Sequence, residues 1–368
     1  MNCDPKVSIV ILNYEGMNYV EGCLDSVLHT NYPSFEVIFV DNASTDESLQ
    51  YAKRRFGHDP RLKFVENDRN YGFSLGMNIG ARHANGKYVV FLNNDLEVDA
   101  NWLKESIKVM ESDRTIGVIQ PKLLLMNNHK RFNTCGHMLT PYGFLCGRGD
   151  GEVDEGQFDY LAEIFGANGA AMIVRREVLE EVGIFDPDYF LLWEETDLCW
   201  RVWLRGYRVV FVPNSVVYHD VGGWEKSTSE EPIVLAQQKA YHSFLGYRNS
   251  LITLMKNLEF KNLVKVIPSY ILISLGVGLV QDLEAKVLTF PLIAKSIVWI
   301  ISNFRQVIKK RLRVQYLIRK KTDAEIMPCI MVHPHIKISE AGFARVAFEK
   351  VAPNPETATS KASHKILI

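Results

Sequence analysis

Short apolar runs alternate with amphipathic stretches along the first 125 residues of the chain. Runs rich in branched and aromatic residues predict buried strands. Four of them lie at Val7–Leu12, Glu36–Val40, Leu62–Val65 and Tyr88–Leu92. Between the runs, apolar residues recur at helical spacing, first over 19–28 and later over 102–110. The strand and helix alternation predicts a mainly parallel sheet, Rossmann-like, with helices on both faces.

The pattern loses regularity farther along the chain. Residues 126–165 are rich in Gly, Asn and Asp and predict a loop or small excursion. After them the pattern predicts one strand, one helix and two short strands. These lie at Gly169–Val174, Glu195–Leu204, Val209–Val212 and Val216–Tyr218. A capping box earlier in the chain, with Ser44 as N-cap and Glu47 three residues on, predicts a helix start there.

After about residue 225 the chain becomes strongly apolar and then basic. Val266–Gln281 carries no charge, and Val287–Phe304 is apolar apart from Lys295. Both are shorter than the roughly 20 residues of a spanning helix, so spanning is the less favoured prediction. A basic cluster follows, made of Lys309, Lys310, Arg311, Arg313, Arg319, Lys320 and Lys321. This arrangement favours attachment to an anionic membrane surface, and the alternative is a buried helical hairpin with a solvated basic face.

Three regions are therefore predicted: 1–225 as a catalytic domain, 226–321 as a helical region and 322–368 as a loosely ordered, proline-containing tail. The hydrophobic content of 47% and the net charge of −1 describe a globular protein with no bias toward nucleic acid. The six cysteines are scattered without a CxxC pair, which disfavours zinc and disulfides and favours a reducing, cytosolic setting. The N-terminal residues lack the pattern of a secretory signal.

Polar residues collect where the predicted strands end. Asp41, Asn67–Asn70 and Asn93–Asp95 all follow strands, and in such sheets ligands bind beyond the carboxyl ends of the strands. Asp95 and the distant His219 are suited to hold a divalent cation. A separate carboxylate in the acidic run near residue 195 can accept a proton. These parts suit transfer of a group off a diphosphate.

Five ordered motifs carry a family resemblance. They read Val-Ser-Ile-Val-Ile-Leu-Asn-Tyr (7–14), Val-Asp-Asn-Ala-Ser-Thr-Asp (40–46), Asn-Tyr-Gly-Phe-Ser (70–74), Phe-Leu-Asn-Asn-Asp (91–95) and Glu-Glu-Thr-Asp-Leu-Cys-Trp-Arg (194–201). In this order they resemble family 2 glycosyltransferases with the GT-A fold, and most closely the rhamnosyltransferase-like branch. A weaker similarity to the same family lies at Tyr-Arg-Asn, 247–249. The resemblance implies inverting transfer of a sugar from a nucleotide donor.

The resemblance also implies donor-binding residues. By it, Asp41 contacts the base and ribose of the nucleotide, and Asn13 and Tyr14 flank the same nucleoside. The remaining implied donor-binding residues are Asn70, Gly72, Asn93 and Asn94. Glycine in the turn allows close backbone approach to a phosphate or sugar.

The metal ligands and the catalytic base are implied in the same way. Asp95 and His219 would bind Mg²⁺ or Mn²⁺. Asn93 replaces the first aspartate of the family's Asp-x-Asp pattern, which lowers the expected metal affinity. The base would be Glu195, with Glu194 as its rival.

Other residues of the acidic motif have further predicted roles. Gly169 and Trp193 would lie on the acceptor side. Acidic residues also suit a helix N-terminus, where Asp197 is the best capping candidate.

The sequence thus predicts an inverting glycosyltransferase at the cytoplasmic face of the membrane. Its donor would be a dTDP- or UDP-sugar, with rhamnose the sugar the branch implies, and its acceptor a cell-surface or lipid-linked glycan. Two alternatives stay open. A nucleotidyltransferase would carry a loop rich in glycine and in arginine or lysine after the first strand, unlike the Asn-Tyr-Glu-Gly found at 13–16. A catalytically inactive sugar-nucleotide-binding scaffold is favoured by Asn93 and opposed by Glu195 and His219.

Overall fold

The structure of the protein is a computed structural model, and it describes residues 4–221, 232–285, 289–331, 335–338 and 344–347. The predicted boundary between residues 225 and 226 lies outside these ranges.

Four parallel strands form one half of the central sheet. They are β1 (Val7–Asn13), β2 (Phe35–Asp41), β3 (Leu62–Glu66) and β4 (Tyr88–Asn93). They pair in the order β3-β2-β1-β4, and each corresponds to a predicted apolar run. All four end on a polar residue, Asn13, Asp41, Glu66 or Asn93, so the polar edge predicted from the sequence is present.

The other half of the sheet is mixed. Strand β11 (Ala171–Arg175) is antiparallel to β4 and to β6 (Ile116–Leu125), and β12 (Arg208–His219) is parallel to β6. The shorter strands β5 (Leu96–Val98), β7 (Asn128–Thr134) and β10 (Ala162–Glu163) are antiparallel additions to β12 or β6. The fold prediction of a mostly parallel α/β sheet is confirmed.

One prediction in this half was wrong. The predicted pair of strands near the end of the domain is the single strand β12, with a register shift between Val212 and Val216. The region 126–165, predicted as a loop or a small excursion, contains β7, β10 and a hairpin of β8 (His137–Leu139) and β9 (Leu145–Gly147), so it is an excursion with short strands. The first four residues of β7 are exposed and polar, so this strand has no apolar alternation to reveal it.

Helices cover both faces of the sheet because successive strand residues point to opposite sides. Ile9, Ile11 and Phe39 belong to one core with α1 (Val20–Leu28), α2 (Ser48–Phe56) and α4 (Trp102–Ser112). Val10, Val40 and Phe91 belong to a second core on the other face. That core also includes residues of α3 (Gly72–Arg82), α5 (Arg176–Val182) and α6 (Glu194–Arg205). Each fully buried large apolar side chain contributes roughly 1.5–3 kcal/mol to the stability of the folded state.

The predicted capping box at Ser44 and Glu47 was also wrong. Helix α2 begins at Ser48, and its N-cap Glu47 makes no side-chain capping bond. The Ser44 hydroxyl instead donates to Asp41 Oδ1 at 2.7 Å. The side chain that fits a capping motif is therefore used to hold the strand end.

The C-terminal region is helical and packs on the sheet domain. It contains α7 (Pro232–Asn257), α8 (Phe260–Ala285), α9 (Thr289–Ser302), α10 (Phe304–Arg313), a π-helical turn (Val314–Ile318) and α11 (Asp323–Ile330). Leu254, Ile300 and Ile326 of this region are buried in the same core as Leu198 of α6. The helical region thus shares a continuous apolar core with the sheet.

The start of the predicted loose tail is ordered. A capping box of Thr322 and Glu325 begins α11. Farther on, β13 (His335–Ile338) and β14 (Ala344–Ala347) pair antiparallel. Four prolines supported the tail prediction. Pro328 lies inside α11, and Pro334, Pro353 and Pro355 lie outside the described residues.

Helix α8 is the most apolar part of this region. Its segment Phe260–Val280 is 21 residues long, enough by length and composition to cross a membrane, although a single such helix is weak evidence. This segment begins before the uncharged run Val266–Gln281, so that run alone is shorter than a membrane-spanning helix although the apolar helix is long enough. Helix α9 remains shorter than a span.

Candidate active site at the carboxyl edge of the sheet

Asn13 ties together three strand ends. Its buried amide nitrogen lies 2.8 Å from Asp41 Oδ1, 2.9 Å from Ser48 Oγ and 3.1 Å from Ser44 Oγ. Its Oδ1 accepts a hydrogen bond of 2.8 Å from Asn94 Nδ2. The carboxyl ends of β1, β2 and β4 are therefore joined through one side chain.

Asp41 is almost fully buried in this cluster. Its Oδ2 accepts from the backbone N–H of Ser44 at 3.0 Å, and its other oxygen is held by Asn13 and the Ser44 hydroxyl. Tyr14 follows Asn13 and is 41% exposed. Of the three residues predicted to contact the nucleoside, Tyr14 is therefore exposed to solvent, whereas Asn13 and Asp41 are buried in the hydrogen-bonded cluster.

Asn42 is a site residue that the sequence reasoning missed. It is buried, and its amide nitrogen donates to Asn70 Oδ1 at 2.9 Å and to the Gly72 carbonyl at 3.2 Å. Its Oδ1 accepts from Asn67 Nδ2 at 3.0 Å and from the Tyr71 N–H at 3.2 Å. The turn predicted to approach the donor is thus organised around Asn42, whose only sequence signal is its position beside Asp41.

Gly72 allows this turn to press against the segment before α6. Its φ is +73°, and a Cβ there would lie 2.5 Å from Phe190 Cδ2. The Ser74 N–H also donates to the Phe190 carbonyl at 3.2 Å. The donor-side turn and the segment leading into the acidic motif are therefore in direct contact.

Asp95 and His219 come together, as the sequence reasoning expected of a metal pair. Asp95 Oδ1 lies 3.5 Å from His219 Nε2. That oxygen is buried and has no hydrogen-bond partner. An orphaned carboxylate oxygen facing an imidazole nitrogen fits a bound cation, because both atoms are ligands for divalent metals.

Asn133 orients the histidine. Its Oδ1 lies 2.8 Å from His219 Nδ1, and with Oδ1 as acceptor the proton sits on Nδ1 and leaves Nε2 free to bind. Asn133 lies in β7, in the region read as loop, so no sequence signal marked it. Within the part of the chain that is described, no group of three His, Cys, Asp or Glu side chains forms a metal site. Asp95 and His219 are therefore a two-ligand pair.

Two adjacent carboxylates begin α6. Glu194 is 4% exposed and its Oε2 has no partner, whereas Glu195 is half-buried and accepts from Thr196 Oγ1 at 3.2 Å. Burial raises the pKa of both carboxyl groups, and the neighbouring charge of Glu195 raises the pKa of Glu194 further. Two such groups do not readily ionise together, so the pair holds one proton more strongly than two separate carboxyl groups would.

Gly169 lies directly against Glu195. A Cβ added to Gly169 would be 3.6 Å from Glu195 Cβ and 3.6 Å from Phe73 Cζ. The next residue, Ala170, accepts a hydrogen bond of 2.9 Å from the Asn93 N–H. The predicted acceptor-side segment therefore lies between the end of β4 and Glu195.

Trp193 precedes these carboxylates as the N-cap residue of α6, in a left-handed conformation. Its side chain lines an open cleft of about 390 Å³ together with Tyr247 and Tyr270 from the helical region. The Trp193 side chain is therefore accessible from this cleft, as the predicted acceptor-side role requires.

Asp197 is a structural anchor, so the prediction that it caps α6 was wrong. It is fully buried, with Oδ2 2.9 Å from Arg201 Nε and 3.0 Å from Lys256 Nζ, and Oδ1 2.9 Å from Asn257 Nδ2. Burial opposes its charge, but Lys256 and Arg201 hold the pKa of Asp197 below its ordinary value. The carboxylate thereby joins α6 to α7.

Comparison with known proteins adds to this geometry. Residues 8–183 match the family model described as "Glycosyl transferase family 2". The O-antigen biosynthesis protein RfbC of Myxococcus xanthus is 28% identical over 264 residues, covering 68% of this chain and 20% of that protein. Glycosyltransferase GlyA of Streptococcus pneumoniae is 24% identical over 267 residues, covering 71% of this chain and 36% of that protein. The chain therefore spans only about a fifth to a third of these relatives.

Solved structures show the same fold at low identity. The GalNAc-T7 structure with UDP, GalNAc and Mn²⁺ matches with a TM-score of 0.56 and 17% identity, over 82% of this chain and 58% of that one. The mannosyltransferase PcManGT of Pyrobaculum calidifontis, in complex with GDP-Man and Mn²⁺, has a TM-score of 0.51 and 18% identity. That match covers 84% of this chain and 81% of the mannosyltransferase. These matches establish a GT-A-like architecture.

Proposed function

We propose, from the premise that residues 8–183 belong to glycosyl transferase family 2, that this protein transfers a sugar from a nucleoside-diphosphate donor to a glycan with inversion. The observation that carries the proposal is the arrangement along one sheet edge. The Asn13–Asp41 cluster, the Asp95–His219 pair and the Glu194–Glu195 carboxylates all lie at or beside the carboxyl ends of the strands. These are the parts that donor binding, leaving-group stabilisation and proton removal require.

Glu195 is the proposed general base. In the transfer step the acceptor oxygen forms a bond to C1 of the sugar while the bond from C1 to the diphosphate breaks. The acceptor hydroxyl proton passes to the Glu195 carboxylate, which contributes about 10²–10⁴-fold to the rate. Burial and the mutual repulsion of the two carboxylates raise the pKa of Glu194, which favours a single negative charge on the pair at the reacting centre.

Asp95 and His219 are the proposed ligands of Mg²⁺ or Mn²⁺. When bound, the ion would neutralise charge on the departing diphosphate. The support in this chain is the unpartnered Asp95 Oδ1 and the orientation of His219 by Asn133. Structures of similar fold were solved with Mn²⁺.

The finer donor and acceptor assignment is also a proposal. A dTDP- or UDP-linked sugar, with rhamnose as the first candidate, follows from the motif resemblance. One relative is named for O-antigen biosynthesis, which supports a cell-surface or lipid-linked glycan as acceptor.

We place the protein at the cytoplasmic face of the membrane. Helices α8 and α9 expose large apolar side chains, among them Leu272 at 70% and Ile301 at 69%. The basic cluster supports this less than the sequence indicated, because Lys310 pairs with Asp186 and Arg311 donates to main-chain carbonyls of the helical region. The apolar faces therefore carry the membrane proposal.

A donor screen tests the proposed function. Purified protein with Mg²⁺ or Mn²⁺ is incubated with UDP-, dTDP- and GDP-sugars, and release of nucleoside diphosphate is measured with an EDTA control. Slow release from one donor, abolished by EDTA, is the expected result. Binding without release, even with candidate glycan acceptors present, would favour the inactive scaffold that Asn93 permits, and absence of binding would contradict the proposal.

A further inference from the structure

The segment that leads into the catalytic carboxylates has an unfavourable backbone. Phe190, Leu192 and Trp193 have φ values of 64°, 71° and 72°, in the left-handed region that side chains other than glycine rarely adopt. Three such residues within four positions do not hold this conformation by themselves, so surrounding groups must impose it. We call residues 189–193 the catalytic loop.

Asn249 of α7 supplies most of that constraint. It is fully buried, and its amide nitrogen lies 3.0 Å from the Tyr189 carbonyl, 2.8 Å from that of Leu191 and 2.8 Å from that of Leu192. An amide nitrogen carries two hydrogens, so three carbonyls share them. One side chain from the helical region therefore gathers three carbonyls of the catalytic loop.

Arg248 fixes the orientation of that amide. Its Nε donates to Asn249 Oδ1 at 2.9 Å, which directs the nitrogen of the amide toward the catalytic loop. Its Nη2 donates to the Tyr189 carbonyl at 3.1 Å and to the Asp188 carbonyl at 2.8 Å. The guanidinium lies 5.0 Å from the centre of the Trp299 ring of α9, so the helical region also holds the arginine.

The other side of the catalytic loop is fixed as well. Phe190 packs against Gly72 and accepts from Ser74 on the donor side, as described above. Tyr189 Oη lies 2.7 Å from Thr253 Oγ1 of α7. The catalytic loop is thus held between the donor-side helix α3 and the helical region.

We propose that Arg248 and Asn249 are positioning residues of the transfer reaction. They hold the catalytic loop in its left-handed conformation, so that α6 begins at Glu194 and places Glu195 beside Gly169. Two residues of α7 therefore contribute to the geometry of the proposed reaction centre. This inference rests on the proposed function, because it assigns a role to the same carboxylates.

The test uses Asn249→Asp, which keeps the shape and the acceptor for Arg248 but replaces the donating nitrogen with an oxygen. That oxygen would face three carbonyls, and the catalytic loop would leave its conformation. We expect kcat to fall by about 100-fold, as small misplacements of catalytic groups do, with the donor Kd changed by less than about twofold. The first readout is the initial rate of nucleoside-diphosphate release at saturating donor. The second is the binding affinity for the nucleoside diphosphate, measured by calorimetry.

Gln315→Glu is the matched control. Gln315 Nε2 also lies near two main-chain carbonyls of the helical region, 2.8 Å from that of Lys256 and 3.1 Å from that of Asn257, away from the catalytic loop. The substitution makes the same amide-to-carboxylate change and is expected to lower Tm while leaving kcat unchanged. A merely structural role for Asn249 predicts that the two variants behave alike.

A rescue experiment guards against misfolding of Asn249→Asp. Asn249→Ala removes the donor, and adding Leu192→Gly provides a residue that accepts positive φ without steric strain. The double variant is expected to recover about tenfold in kcat over Asn249→Ala, and equal rates in the two would overturn the inference.

The outcomes separate the two claims. Normal kcat in folded Asn249→Asp, with active wild-type protein, would overturn the positioning role alone. Wild-type protein that neither binds nor cleaves any donor would overturn the proposed function.

Discussion

The donor edge and the catalytic loop are built in opposite ways. At the donor edge, Asn13, Asp41, Asn42 and Asn94 bind one another or nearby turns, and all of them follow or end strands of the parallel half-sheet. The catalytic loop has three left-handed residues and depends on Arg248 and Asn249, about sixty residues farther along the chain. Donor binding and turnover should therefore be separable by mutation.

The largest expected effect is on the proton acceptor. Glu195→Gln keeps the size of the side chain but cannot take a proton, so we expect transfer to fall by about 10²–10⁴-fold. Nucleoside-diphosphate binding, measured by calorimetry, should be unchanged because the donor edge is intact. Glu180→Gln, an exposed change on α5, is the control. Near-normal turnover in Glu195→Gln would remove Glu195 from the mechanism.

The reciprocal change is made at the donor edge. Asp41→Asn removes the charge that accepts from Asn13 and Ser44, and hydrogen bonds to a charged group are worth about 1.5–3 kcal/mol. Donor affinity is therefore expected to fall by roughly 10–100-fold, with kcat at saturating donor little changed. Asp25→Asn on the exposed side of α1 serves as the control. Unaltered donor affinity in Asp41→Asn would contradict the role given to this edge.

Substitution of Asn133 is expected to have a smaller, indirect effect on metal binding by Asp95 and His219. Asn133→Ala removes the partner of His219 Nδ1, and loss of such a partner lowers metal affinity by about tenfold or somewhat more. Mn²⁺ binding measured by electron paramagnetic resonance gives a readout independent of turnover. Affinity equal to wild type would mean that another group orients His219.

The remaining expected effect concerns folding stability and depends on pH. Burial raises the pKa of Glu194, so the folded state prefers the protonated form, and stability is lost as pH rises through that raised pKa. Glu194→Gln should therefore stabilise the protein at pH 8 by about 1–3 kcal/mol and have almost no effect at pH 4. Urea unfolding at both pH values tests this. An equal effect at the two pH values would show that Glu194 does not keep its proton.

The donor edge could be predicted because its signals are local. Each strand of the parallel half-sheet is an apolar run that ends on a polar residue, and parallel pairing brings those ends together. Asp95 and His219 were also predicted as a pair, and the structure brings them together. Local signals have limits, since Ser44 fits a capping motif yet binds Asp41.

The supports of the site could not be predicted in the same way. Asn133 lies in a polar strand whose residues do not alternate between apolar and polar. Asn249 lies inside a long helix, where only the weaker family similarity at 247–249 indicated it. Asp197 lies in the first turn of α6, where an acidic residue favours a helix start, but its buried carboxylate binds Arg201, Lys256 and the Asn257 amide. Such roles depend on contacts between distant segments, which hydrophobic periodicity does not record.

The most direct test of the account is a paired measurement on Asp41→Asn and Asn249→Asp. Donor affinity by calorimetry and kcat at saturating donor are determined for each variant beside the wild type. We expect Asp41→Asn to lose donor affinity and keep kcat, and Asn249→Asp to keep donor affinity and lose kcat. Parallel loss of both properties in both variants would show that the donor edge and the catalytic loop are one unit, and would contradict the separation drawn here.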